Sequence, residues 1–170
     1  MSENVRGKNS CLIGIISDTH GRLPQSISKI FKNTNLIIHA GDIGDPKIID
    51  ALEKFAPTRA VRGNMDMGNR TRQLRQNETI EINHKRLHVL HDIYKLDINA
   101  ESNNYHVVIY GHTHRPQVEK QQGILYVNPG SAMQPRFGYP PSVALLEINA
   151  DSINARLVDL TNWNIFFDNH

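Results

Sequence analysis

Leu12-Ile13-Gly14-Ile15-Ile16, followed at once by Ser17-Asp18-Thr19-His20-Gly21, is an apolar run that stops abruptly at a polar loop. A short continuous apolar run of this kind fits a strand covered on both faces, as in a parallel sheet lying between other layers. Beyond Gly21 and Pro24, Ile27, Ile30 and Phe31 recur at helical spacing. Leu36, Ile37 and Ile38 then form a second apolar run that ends in His39-Ala40-Gly41-Asp42. Strand, helix and strand in that order make a βαβ unit. Pro46 suits the first turn of a second helix, with Ile48, Ile49, Leu52 and Phe55 on one face. Thr58 to Val61 reads as a third strand ending at Gly63-Asn64. The first half of the chain is therefore α/β.

From Glu78 onward short strands follow at close intervals: Thr79 to Ile82, Arg86 to Leu90 across an Asn83-His84-Lys85 turn, His106 to Tyr110, Ile124 to Val127, Val143 to Ile148 and Ile153 to Leu157. No Ser/Gly linker separates the two halves, so they read as layers of one domain spanning residues 11–170, behind a polar, flexible lead-in at residues 1–10. With 39% hydrophobic residues in 170, there is apolar material for one sizeable core. A formal net charge of +2 is too small to mark an extended nucleic-acid surface. The single cysteine, Cys11, cannot form an internal disulfide and reads as a small core residue. Neither a signal-peptide core nor a membrane-length apolar run is found, which predicts a soluble, cytoplasmic protein without membrane contact.

Nearly every strand ends on a metal-competent residue beside a glycine or in a tight loop: Asp18-Thr19-His20-Gly21, Gly41-Asp42, Gly63-Asn64, His91-Asp92 and Gly111-His112-Thr113-His114. Ligands in α/β sheets bind outside the carboxyl ends of strands, so these five loops are expected to meet at one point. Asp-x-His and His-x-His place alternate side chains on the same side of an extended segment, so one short loop offers two ligands. The donors are imidazoles and hard oxygens without thiolate, which suits Mn²⁺, Fe, Zn²⁺, Ni²⁺ or Co²⁺ better than Ca²⁺.

The series Asp18-x-His20, Gly41-Asp42, Gly63-Asn64-x-Asp66, His91, Gly111-His112-x-His114 resembles that of the calcineurin-like metallophosphoesterases, in particular their small single-domain bacterial and archaeal phosphodiesterases. Asn128-Pro129-Gly130-Ser131, Pro135-Arg136 and Pro141 resemble a later loop of that branch, so the likeness spans roughly residues 11 to 158. The resemblance implies a four-layer αββα sandwich of two mixed β-sheets flanked by helices. It also implies two divalent ions, Mn²⁺ first, with Ni²⁺, Zn²⁺, Fe²⁺ and Co²⁺ as alternatives. Asp18, His20, Asp42 and His114 would hold one ion, and Asp42, Asn64, His91 and His112 the other. Asp42 would bridge, with Asp42, Asn64 and His91 nearest the chemistry. A metal-bridging hydroxide would hydrolyse a small phosphodiester or nucleotide-like substrate, which explains why no serine or cysteine nucleophile is needed.

Two positions depart from the family pattern. Met65 stands where many members carry a leaving-group histidine, and His91-Asp92-Ile93 stands where many read His-Gly-His. An imidazole placed at position 65 would be expected to take Asp66 as its carboxylate partner. His39 reads as a structural residue beside the site, and His84, His88, His106 and His170 fall outside it. Arg70, Arg72, Arg75 and Arg115 read first as solvated surface, with one of them a candidate to pair with a substrate phosphate. Tyr94, Phe137 and Tyr139 either line a substrate mouth or pack. Trp163, Phe166 and Phe167 are expected to pin the C-terminal tail. The competing reading is a protein-interaction scaffold, because the resemblance extends to the retromer subunit of this fold; homo-oligomerisation is left open.

Overall fold

The structure, a computed structural model, describes residues 10–96 and 101–169. Nearly all of the expected lead-in at residues 1–10, and His170, lie outside the described residues. Among the described residues, eleven strands form two mixed sheets. The first sheet contains β1 (Cys11–Ile16), β2 (Leu36–His39), β3 (Thr58–Ala60), β9 (Ser142–Ile148), β10 (Ile153–Asp159) and β11 (Ile165–Asp168), in the order β11-β10-β9-β1-β2-β3. β1, β2 and β3 run parallel, and the other three are antiparallel additions. The second sheet contains β4 (Asn77–Ile82), β5 (Lys85–Leu90), β6 (Val107–Ile109), β7 (Gln117–Gln121) and β8 (Ile124–Asn128), in the order β4-β5-β6-β8-β7. β5, β6 and β8 are its parallel core.

Strand alternation sorts the apolar residues into layers. Ile13, Ile15, Ile38, Ala144 and Leu146 from the first sheet meet Leu87, Val89, Val107, Ile109 and Val127 from the second, and this inter-sheet layer is the main core. The opposite face of the first sheet, with Ile16, Ile37 and Val143, is covered by α1 (Ile27–Ile30) and α2 (Lys47–Leu52) through Ile27, Phe31, Ile48 and Leu52. Gly14 makes this possible, since a Cβ there would stand 2.8 Å from the Phe31 ring. The outer face of the second sheet carries a smaller cluster of Leu90, Tyr105, Val108, Tyr110 and Ile124. Its cover is slighter: among the described residues it is a 3-10 turn at Ile93–Lys95 and the segment leading into β6. No helix among the described residues is long and apolar enough to cross a membrane.

The structure extends the sequence reading at both sheet edges. β7, reading Gln-Val-Glu-Lys-Gln, buries only Val118, and β11 is exposed throughout, so neither carries the apolar signal of an inner strand. Phe166 and Phe167 remain 41% and 40% exposed, and Trp163 lies under the Lys29 ammonium, 4.4 Å from the ring centroid. The tail is held by backbone pairing of β11 with β10 rather than by burial of its aromatic rings. Cys11 is half-buried at the margin of the inter-sheet core. Asn83 and His84, both at positive φ, form the expected β4–β5 turn, which suits the primed turns of two-residue hairpins.

Candidate metal centre

The parallel strands finish level with one another. Ile16 pairs with His39 and His39 with Ala60 in the first sheet, while Val89 pairs with Ile109 and Ile109 with Val127 in the second. The loops leaving these six carboxyl ends are then stitched together by backbone bonds. Asp18 N–H donates to the Gly41 carbonyl (3.0 Å), His20 N–H to Asp42 (3.0 Å), Gly111 N–H to His91 (3.0 Å) and Ala132 N–H to Ser17 (3.1 Å).

Five of the seven sequence-predicted residues, all but Asn64 and His112, supply the charged and imidazole contacts at the centre of this junction. The Nε2 of His114 lies 3.2 Å from Asp18 Oδ1, and that of His91 3.3 Å from Asp42 Oδ2. His20 Nε2 stands between the carboxylates, 3.9 Å from Asp18 Oδ1 and 4.0 Å from Asp42 Oδ2. Asn64 Oδ1 is 3.1 Å from His91 Nε2 and also 3.1 Å from His112 Nδ1, so His112 joins through Asn64. Two groups of potential ligand atoms result, Asp18-His20-His114 and Asp18-Asp42-His91. Asp18 thus sits in both groups, whereas the expected ligand sets gave it to one.

The outer nitrogens fix the imidazoles. His91 Nδ1–H donates to the Ala40 carbonyl at 2.7 Å, and His114 Nδ1–H to the Gln134 carbonyl at 2.6 Å, which leaves each Nε2 lone pair aimed at the carboxylates. Asp18 Oδ1 and His20 Nε2 are buried without a hydrogen-bond partner. Asp18 and Asp42, 0% and 3% exposed, meet no lysine or arginine among the described residues. Two buried carboxylates ringed by imidazoles, with Asp18 Oδ1 and His20 Nε2 lacking a hydrogen bond, make a donor set that fits a divalent metal.

The backbone is strained where these side chains are presented. Asp18, His20, Asp42, His112 and His114 all adopt left-handed conformations, with φ between 47° and 67°. Such conformations cost on the order of 1 to 3 kcal/mol each and persist only where the surroundings over-determine them. Those surroundings include glycines chosen for space. A Cβ on Gly41 would lie 2.6 Å from His91 Nδ1, one on Gly63 would overlap Asp42, and one on Gly111 would overlap Ser17.

Burial alone would raise both carboxyls, but His114, His91 and the Ser17 hydroxyl hold Asp18 below the usual range, and His91 with the Met65 N–H does the same for Asp42. Burial likewise would depress His91, yet Asp42 and Asp18 outweigh it and raise its pKa; Asp18 is the leading cause of the rise at His114. His39 behaves oppositely: full burial pushes it down to about 3. Neutral, it receives the Gly41 N–H on Nδ1 at 3.2 Å and lies 2.9 Å from Thr19 Oγ1, a structural position. His88 is buried against Thr79 and stacked on Tyr105, away from the centre.

Several supporting residues carried no clear signal in sequence. Ser17 Oγ donates to Asp18 Oδ2 at 2.6 Å, Ser131 Oγ to the Asp18 carbonyl, and Asn128 Nδ2 to Gly111 O and Thr113 Oγ1. Asn128 and Ser131 belong to the loop whose resemblance was noted; only the fold shows that it braces the others. Asp66 takes another place than expected. Its two oxygens accept N–H groups from Ile43, Gly44 and Gly63, and it is 1% exposed, so it ties two loops together and is not available to an imidazole at position 65. The Met65 side chain is 61% exposed, and its N–H donates to Asp42 Oδ1 at 2.9 Å.

A cleft of about 630 Å³ adjoins Asn64 and His91, with Arg72, Tyr94 and Lys95 among its walls. Arg70 is paired with Asp50 and Arg115 lies over the Phe137 ring, so of the four arginines only Arg72 lines the cleft.

A calcineurin-like phosphoesterase superfamily domain matches residues 11–151. A probable metallophosphoesterase of Methanocaldococcus jannaschii is 36% identical over 163 residues, covering 88% of this chain and 81% of its own length. A phosphodiesterase of the same organism is 33% identical over 148 residues, covering 75% and 88%. Among solved structures, Vps29 of Entamoeba histolytica superposes with a TM-score of 0.77 at 24% identity, covering 94% of this chain and 99% of that one; this likeness shows the fold.

Proposed function

Because the chain belongs to the calcineurin-like phosphoesterase superfamily, we propose that it is a phosphodiesterase whose residues 11–170 act as one domain around a dinuclear metal centre, hydrolysing a small phosphodiester. Asp18, His20, Asp42 and His114 hold one ion, and Asp42, Asn64, His91 and His112 the other, with Mn²⁺ the first candidate. The observation that carries the reading is the pair of buried, partnerless atoms Asp18 Oδ1 and His20 Nε2 inside a ring of imidazoles and carboxylates. When bound, two divalent ions supply Lewis acidity toward phosphoryl oxygens and lower the pKa of water. The chain's own part is positional. Asp42 Oδ2 faces both His20 and His91, the carbonyls of Ala40 and Gln134 hold the imidazole tautomers, and Asp66 locks the loops carrying Asp42 and Asn64. The test is metal content after purification together with Mn²⁺-stimulated hydrolysis of bis(p-nitrophenyl) phosphate. A chain that binds no divalent metal and leaves the ester intact would sink the proposal.

The competing reading is a binding module of the same fold, with which the Vps29 likeness is compatible but which it does not favour over hydrolysis. The enzyme reading rests on the full set of His20, Asn64, His91, His112 and His114, of which His91 and His114 are buried and His20, His112 and His114 adopt positive φ.

The pKa directions imply opposite pH responses with and without metal. In metal-free protein His91 and His114 are raised, so their contribution to stability is full below the unfolded histidine pKa and is lost as pH rises through the folded value. Asp18 and Asp42 are lowered, so theirs is present above the unfolded carboxyl pKa and lost as pH falls through the folded one. Metal-free protein should therefore melt higher in mild acid than at alkaline pH. Metal-loaded protein should lose metal and activity as pH falls to about 5, because protons compete for the same nitrogens. Melting curves of both forms across pH check this; parallel curves would exclude these histidines as ligands.

Met65 bears on the leaving group. A thioether donates no proton, so activated aryl diesters should be cleaved faster than alkyl phosphomonoesters. Met65→His places an exposed imidazole there without Asp66 behind it, so recovery should reach at most the lower part of the roughly 10² to 10⁴-fold range of general acid assistance. The measurement is kcat/KM across esters of graded leaving-group pKa. An unchanged slope in Met65→His would show that position 65 does not limit departure.

A further inference from the structure

We propose that the cleft beside Asn64 and His91 is a subsite for a nucleotide arm of the substrate, with Arg72 and Lys95 holding a phosphate on that arm and Tyr94 offering a face to the base. This rests on the diesterase reading of the neighbouring centre. The cleft encloses about 630 Å³, within the range of roughly 300 to 1,000 Å³ typical of small-molecule sites. Asn64 and His91 belong to both the cleft and the donor cluster, so an ester held at the cluster sends one arm into the cleft.

The charges of its walls are unbalanced. Arg62, Arg72 and Lys95 line it, and none of the three has an ion pair among the described residues; Arg62 Nη1 is spent on the Arg72 carbonyl at 2.9 Å, which leaves Arg72 and Lys95 without a hydrogen-bonded partner for their charged ends. The two carboxylates in the lining, Asp66 and Asp92, form no ion pair with them among the described residues. Asp66 spends both oxygens on backbone N–H groups, and Asp92 Oδ1 accepts from Tyr94 N–H at 3.1 Å. A nearby pair of free cations concentrates anions, and a phosphate takes charge-assisted bonds from both. The rest of the lining suits a ring. Tyr94 is 85% exposed and Met67 73%, costly surfaces to leave in water, and aromatic faces accept any base without reading its sequence. A plain alkyl or unsubstituted aryl arm would use the apolar wall and leave both cations unmatched, whereas a nucleotide arm uses both.

The test is binding of 5′-AMP and adenosine at mildly alkaline pH to full-length protein stripped of metal by chelator and dialysis, so that the centre itself offers no metal ion. AMP should bind about tenfold or more tightly than adenosine. That preference should vanish in the Arg72→Gln, Lys95→Gln double variant and persist in Arg72→Lys, which retains the charge. Melting temperatures confirm folding, and neither side chain has a hydrogen bond in the described structure to lose. Equal affinity for AMP and adenosine, or a preference that survives in the double variant, overturns the subsite. Hydrolysis of bis(p-nitrophenyl) phosphate with Mn²⁺, run in parallel, reads the metal centre separately. Turnover without AMP preference removes the subsite and leaves the diesterase; AMP preference without turnover does the reverse.

Discussion

Asp42→Ala is expected to reduce phosphodiester hydrolysis to background and to remove metal from both positions. Asp42 Oδ2 lies within 4.0 Å of both His20 Nε2 and His91 Nε2, so its loss takes a negative ligand from both sides at once. Asp18→Ala should chiefly empty the position shared with His20 and His114. Because Asp42 Oδ1 also receives the Met65 N–H, alanine could loosen the loop itself. Asp42→Asn keeps that acceptor and the side-chain shape while deleting the charge, and should lose metal while remaining folded, with the metal-free melting temperature lowered only by the lost Asp42–His91 pairing. Metal analysis after gel filtration decides the matter. Two tightly bound equivalents in either variant would refute the bridging assignment.

Gly63→Ala is expected to cost nearly as much activity while adding only a methyl group. Gly63 does not adopt positive φ, so the demand at this position is for space and not for backbone freedom. An added Cβ would overlap both the Asp42 carboxylate and its backbone nitrogen. The Asp42 loop must then move, and a displacement of about 1 Å at a reacting centre costs on the order of 10²-fold in rate. Overpacking should also destabilise by about 1 to 3 kcal/mol, so the folded variant remains measurable. Activity and metal content of Gly63→Ala, compared at a temperature well below its melting transition, provide the check. Wild-type turnover would show that the Asp42 position tolerates displacement.

The inner strands were legible because β1 and β2 are buried on both faces and have to be apolar throughout; β7 and β11 were not, because edge strands bury little and carry no such pattern. The convergence of the seven candidate donors was legible for a related reason. Each lies just past a strand, and parallel strands in register deliver their ends to one place. Met65 was legible as a departure, but the employment of Asp66 was not: nothing local reveals that its oxygens serve Ile43 and Gly44, more than twenty residues earlier.

The sequence by itself therefore determined the inner strands, the chemistry of the donors and their order along the chain, since these depend on residue type and short spacing. Only the tertiary structure decided which carboxylate oxygen faces two imidazoles, which carbonyl holds each tautomer, and which of four arginines opens onto the cleft. Those relations join groups far apart in the chain, Ala40 to His91 and Gln134 to His114 among them. They exist only after two sheets have packed and driven five donor residues into left-handed backbone conformations that local preference disfavours.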